Sequence, residues 1–267
     1  MKTTPGRERP KPDNSIYDVA TRNVSVEPKE SRCVGDRFSG APLDFVKVIA
    51  AGLMVMDHVN YVFLGHTANI LWYLGRAAFP LFAFAIACNL LRGTREWAYT
   101  QKLILLGIVS QPLYATLMAS DEGDILFTLS ASAVLIVGLR TRPIAVQHFV
   151  FFVAVAAIFS SLFRVRAGVD YGIAGMLFPV VLYFVLEGRR SHLIWLTLLL
   201  FALNWYPIDD PWVLKPIRVA CFTGGVSIIV VVASLILRTR RRFLPRYALH
   251  IFYPGHLLVL MIIHYWL

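Results

Sequence analysis

Nine apolar stretches, each close to the length of a membrane crossing, limit what this chain can fold into. They run roughly over 43–64, 69–91, 101–119, 124–139, 144–163, 171–187, 191–207, 213–237 and 248–267. A helix needs about 20 apolar residues to cross the hydrocarbon core. The pattern therefore predicts an all-α, polytopic helical bundle over residues 43–267. The fourth, sixth and seventh stretches are short, so eight crossings is the alternative count.

Charge follows the same division. Only 16% of the 267 residues are charged, against about 25% in an average soluble domain. Residues 1–42 hold eight Lys or Arg and six Asp or Glu. That segment is rich in Pro, Lys, Glu and Ser and has no apolar run of a secretory signal. It reads as a disordered cytoplasmic tail. The formal charge of +10 suits inner loops facing anionic lipid headgroups. Nothing in the sequence interleaves basic and aromatic residues as a nucleic-acid surface would, so membrane lipid and not nucleic acid is the expected surroundings. Cys33, Cys88 and Cys221 make an odd count. The two in apolar spans read as small buried hydrophobes, and no Cys or His spacing suits a metal.

Loop charges set an orientation. With the tail inside, the inner loops carry Arg92, Arg95 and Lys102; Arg140 and Arg142; Arg189 and Arg190; and Arg238, Arg240, Arg241, Arg242 and Arg246. The outer loops carry Arg164, Arg166, Lys215 and Arg218, with acidic runs at 121–124 and 209–210. Positive residues collect on the cytoplasmic side. The expected arrangement is a multi-pass protein of a bacterial cytoplasmic (inner) membrane, N-terminus inside and C-terminus in the periplasm.

Ionisable residues within such spans cost about 2.5–3.5 kcal/mol each on insertion scales, and they face a cavity or a partner. The first span carries Asp44, Lys47, Asp57, His58, Asn60 and Tyr61. At about 100° per residue, Lys47, Met54, His58 and Tyr61 fall on one stripe. Lys47, three residues after Asp44, sits near the inner interface, as an ion pair or a ligand for substrate. Arg76 enters the second span at a depth similar to Asp57. Two readings follow: a structural Asp57–Arg76 bridge, or a cation for an anionic group or developing oxyanion. Adjacent helical residues point about 100° apart, so Asp57 and His58 are expected to find partners on other helices. Asn89 is a candidate interhelical hydrogen-bond donor. Asp124 and Asp170 read as helix caps. In the last span, Tyr253 and His256 share a face beside Pro254 and Gly255, and His264 belongs to an outer aromatic belt.

Six blocks, "LDFVKVIAAGLMVMDHVNYVF", "LGRAAFPLFAFAIACNL", "ILLGIVSQPLY", "GDILFTLS", "DYGIAGMLF" and "FLPRYALHIFYPGHLLVL", occur in an order that resembles the TraX family of conjugative-plasmid membrane proteins. That family often has Asn where this chain has Asp124. The resemblance implies acetylation of the N-terminus of a conjugative pilin subunit, with acetyl-CoA as co-substrate. The residue roles come from chemistry and depth. His58, Asp57, Arg76 and His256 are the expected catalytic group, with His58 as base. Tyr253, Tyr61, Asn89 and Lys47 are the expected substrate-binding group, and Arg238 to Arg242 would suit phosphates. Rival readings are a non-enzymatic pilin assembly or holding factor, a transporter, and an acyltransferase or other terminus-modifying enzyme with a different acceptor.

Overall fold

A computed structural model describes residues 37–141, 171–204 and 214–266, apart from positions 66, 94, 121, 238, 240 and 246. Within them the backbone is helical: α1 Ala41–Leu64, α2 Asn69–Gly75, α3 Ala78–Leu91, α4 Glu96–Met118, α5 Ile125–Thr141, α6 Gly172–Leu186, α7 His192–Leu203, α8 Leu214–Ser234 and α9 Ala248–Trp266. Four stretches are long and apolar enough to cross a membrane: Ala41–Leu64, Asn69–Leu91, Pro216–Ser234 and Ala248–Trp266. This is a membrane protein. The expected span at 144–163 lies outside the described residues, as do residues 1–36, Cys33, Arg164, Arg166 and Asp170.

The second expected span is not one rod. It breaks at Arg76–Ala77 between α2 and α3. Pro80 explains the position. Proline has no N–H, and its ring crowds the carbonyl four residues back, which here belongs to Arg76. The break lets α3 run on as the central helix. Nearly all of its side chains are buried, from Ala78 through Cys88 to Leu90. It packs against α1, α5, α6 and α8.

The outward faces are apolar as well. Leu105, Ile108 and Val109 on α4, Ile228, Ile229 and Val232 on α8, and Ile251, Val259 and Ile262 on α9 are all exposed. Apolar residues facing out all along a helix suit lipid as the surrounding medium. Cys88 is buried as expected. Cys221 is not: it is exposed on α8, because the face carrying it points away from the core.

The first and last long helices run parallel. Asp44 near the start of α1 accepts a hydrogen bond from the Leu244 N–H, just before α9, at 3.2 Å. Farther along both helices, His58 meets His256.

Candidate functional site

Asp57 and His58 are neighbours on α1 and find separate partners, because successive helical side chains diverge by about 100°. Asp57 accepts a hydrogen bond from Arg76: Nη2 to Oδ2 is 3.2 Å. Arg76 sits at the α2–α3 break, with its guanidinium 5.7 Å from the Trp72 ring centre and 5.3 Å from that of Tyr171. Such cation–π contacts steady a guanidinium without neutralising it. The other Asp57 oxygen, Oδ1, is buried with no hydrogen-bond partner.

The pair is tightly framed. A Cβ on Gly75 would lie 2.5 Å from the Asp57 Cβ, so only glycine fits there. Tyr171 holds φ at +64°, a left-handed conformation that costs a non-glycine residue about 1–3 kcal/mol. Its ring stacks on Phe79 at 4.4 Å between centres. A strained residue supporting the Arg76 cation is a feature that reading the sequence missed. Its signal was "DYGIAG", where only Asp170 was singled out, as a helix cap.

His58 turns toward α9. Its Nδ1 is 3.1 Å from Nε2 of His256, with the two rings within 9° of parallel. The Nδ1 of His256 lies 3.1 Å from the Phe252 carbonyl oxygen. A carbonyl can only accept, so His256 carries its proton on Nδ1. Neutral His256 then offers Nε2 as acceptor, and His58 donates from its own Nδ1. That fixes the His58 tautomer and leaves the lone pair on its Nε2. Arg76 is within electrostatic reach of His58. The four residues expected to be catalytic thus form two adjoining pairs.

The four expected substrate-binding residues divide. Lys47, Asn89 and Tyr253 line a cavity of about 110 Å³ enclosed by α1, α3, α4, α5, the 242–245 segment and α9. Lys47 also faces Asp44, 3.9 Å away. Asn89 donates to the Tyr99 hydroxyl at 3.2 Å, joining α3 to α4. Tyr61 stands apart from the cavity, its hydroxyl donating to the Met118 carbonyl at 2.9 Å. The cavity ends at Met54, Phe252 and Tyr253, one helical turn before His58.

Asp124 is a helix cap. Its Oδ1 accepts from the Leu126 and Phe127 N–H groups at 3.0 and 3.3 Å. Its Oδ2 accepts from the Ser110 hydroxyl at 2.5 Å, and the Tyr253 side chain lies within electrostatic reach of the carboxylate. The cap therefore anchors one wall of the cavity. Asn60 is structural: its Oδ1 accepts from the Ala68 N–H at 3.2 Å and its carbonyl from the Gly65 N–H. Among the described residues no group of three His, Cys, Asp or Glu is placed to hold a metal ion.

The family described as TraX protein matches residues 42–264. This chain belongs to the TraX family. A Protein TraX from Escherichia coli is 30% identical over 227 residues, covering 81% of this chain and 85% of that one. A second, from Escherichia coli strain K12, is 31% identical over 225 residues with the same shares covered. A probable fimbrial assembly protein FimC, serogroup H1, from Dichelobacter nodosus is 25% identical over 243 residues, covering 80% of this chain and 92% of the relative. No solved structure matches the chain. In this TraX-family chain both pairs, Asp57–Arg76 and His58–His256, fall within the matched residues.

Proposed function

We propose that this chain is a membrane-embedded acyltransferase of the inner membrane that acetylates the N-terminal amine of a conjugative pilin subunit, with acetyl-CoA as donor. The observation that carries the reading is the imidazole relay Phe252 carbonyl–His256–His58, which presents an unprotonated Nε2 on His58. A neutral imidazole with a free ring nitrogen is a usual general base at neutral pH.

The chemistry balances. The amine nitrogen attacks the thioester carbonyl carbon, and Nε2 of His58 takes the proton that nitrogen loses. The carbonyl oxygen gains negative charge, which the Arg76 guanidinium stabilises. The C–S bond then breaks, and the thiolate leaves with the proton from His58 as free CoA. Amine and thioester become amide and thiol. Asp57 holds Arg76 in place, and the unpartnered Oδ1 of Asp57 is available to an ammonium or amine N–H of the acceptor. With the N-terminus cytoplasmic and the C-terminus periplasmic, the arrangement that loop charge favours, Lys47 and Arg242 would face the donor's side.

The name of the FimC relative favours one rival, a non-enzymatic pilus assembly factor. Mass spectrometry of pilin from cells with and without this chain separates the two. An acetyl increment at the pilin N-terminus, lost in a folded His58→Ala variant, is the expected result. Unchanged pilin mass with altered pilus yield would overturn the acyltransferase reading in favour of assembly.

A further inference from the structure

The cavity beside α1 has an uneven rim. Its polar lining is Lys47, Asn89, Tyr99, Arg242 and His250, and apolar side chains such as Phe82, Leu103, Leu126 and Leu129 form the rest of the wall. Arg92 bonds to Asn89 behind the rim. Arg92 and Arg242 both lie within electrostatic reach of Lys47, and Lys47 and Lys102 within reach of His250. The buried Asp44 carboxylate organises this edge, pairing with Arg242 at 3.6 Å and Lys47 at 3.9 Å and binding the Leu244 N–H. Two nitrogens here, Arg92 Nε and His250 Nδ1, are buried without a hydrogen-bond partner. A buried donor left without an acceptor is unfavourable, so this rim is short of an acceptor-rich, negatively charged group.

We infer that the cavity binds a phosphate ester carrying one narrow, uncharged arm, with phosphate oxygens at Lys47, Arg92 and Arg242 and the arm lying along α1 past Met54 toward His58. The geometry points to a coenzyme A thioester as that ligand. Lys47 and His58 lie on one stripe of α1, eleven residues apart, or about 16 Å at the helical rise. The pantetheine arm has roughly four peptide lengths of backbone between phosphate and sulfur, about 15 Å when extended. A phosphate on the rim thus brings the thioester to the imidazole. Met54, an adaptable thioether, closes the last turn. A phospholipid offers the same phosphate chemistry on two acyl chains instead of one narrow arm, and its binding is a separate outcome of the test. The direction of the arm rests on the acyl-transfer reading; the phosphate site does not.

The test is equilibrium binding to the purified full chain in detergent, with free CoA, adenosine bisphosphate lacking the arm, and phosphatidylglycerol as probes. CoA is expected to bind, and to bind more tightly than the armless nucleotide. Arg92→Gln and Arg242→Gln are each expected to weaken CoA about tenfold or more, with melting temperature checking the fold. Equal CoA affinity in wild type and both variants would overturn the site. Equal affinity for CoA and the armless nucleotide would overturn the arm's place. Phosphatidylglycerol bound through the two arginines, with no CoA binding, would overturn the choice of ligand. Free CoA has no acetyl group to transfer, so the measurement is independent of catalysis. Arginine-dependent CoA binding without pilin acetylation sinks the proposed function alone. Acetylation with arginine-independent CoA affinity sinks this inference alone.

Discussion

Nδ1 of His58 on α1 lies 3.1 Å from Nε2 of His256 on α9, a contact between residues 198 apart in sequence that orients one imidazole by means of another. The bond from His256 Nδ1 to the Phe252 carbonyl settles the direction of the whole chain of protons. Under the proposed mechanism His256 is a positioning residue and His58 is the base.

That division predicts different kinetics for the two histidines. His58→Ala should abolish acetyl transfer. His256→Phe should lower kcat by about 100-fold with little change in the KM for donor. His256→Gln should recover part of the loss, since its amide oxygen can accept the same bond from His58. Steady-state kinetics of CoA release reads all three. Equal rates for the Phe and Gln variants would remove the orienting role.

The Asp57–Arg76 pair is either a brace or part of the chemistry, and a double substitution distinguishes them. Removing one partner of a buried pair costs about 3–5 kcal/mol. Here the side chains are 19% and 18% exposed, which brings the expected cost toward the low end. Arg76→Met alone should lower the melting temperature. Asp57→Leu with Arg76→Met should restore it, because no uncompensated charge remains. Activity should stay absent in the double variant. Recovery of both stability and acetyl transfer would make the pair purely structural.

Gly75 has no room for a methyl group, with the Asp57 Cβ, Cγ and Oδ1 all 2.5–2.6 Å from where it would stand. Gly75→Ala should cost about 1–3 kcal/mol and push Asp57 off Arg76. Thermal unfolding in detergent should show the loss. A Gly75→Ala protein with wild-type melting and activity would mean that α2 can shift freely against α1.

Asp124 caps α5 through its Oδ1 and ties Ser110 through Oδ2. Asn caps helices as well as Asp. Asp124→Asn should keep most of the stability. Asp124→Ala should lose about 1–2 kcal/mol and loosen the Tyr253 wall, raising KM for the donor. A larger activity loss for Asn than for Ala, at equal stability, would assign the carboxylate charge a chemical role.

The membrane class, most helix positions and the short roster of suspect polar residues were legible along the chain, because lipid imposes length and apolarity on each span separately. Depth could be counted too: Arg76 and Asp57 were matched by distance from their span ends. The break at Arg76–Ala77 was written in Pro80 four residues on, yet an apolar run of the right length concealed it. Tyr61 shared the stripe of Lys47 and His58 but turned to the Met118 carbonyl, since a stripe is wide and its far end meets a different neighbour.

What the sequence alone determined is local and additive: which segments enter the bilayer, which side their flanking charges prefer, and which side chains need a partner there. What only the tertiary structure decided is who the partners are. His58 faces His256, Arg92 and Arg242 share a rim with Lys47, and strained Tyr171 supports Arg76. Helix packing in lipid is set by side-chain fit and interhelical hydrogen bonds between segments far apart in the chain. No periodicity within one segment encodes which other segment it will meet.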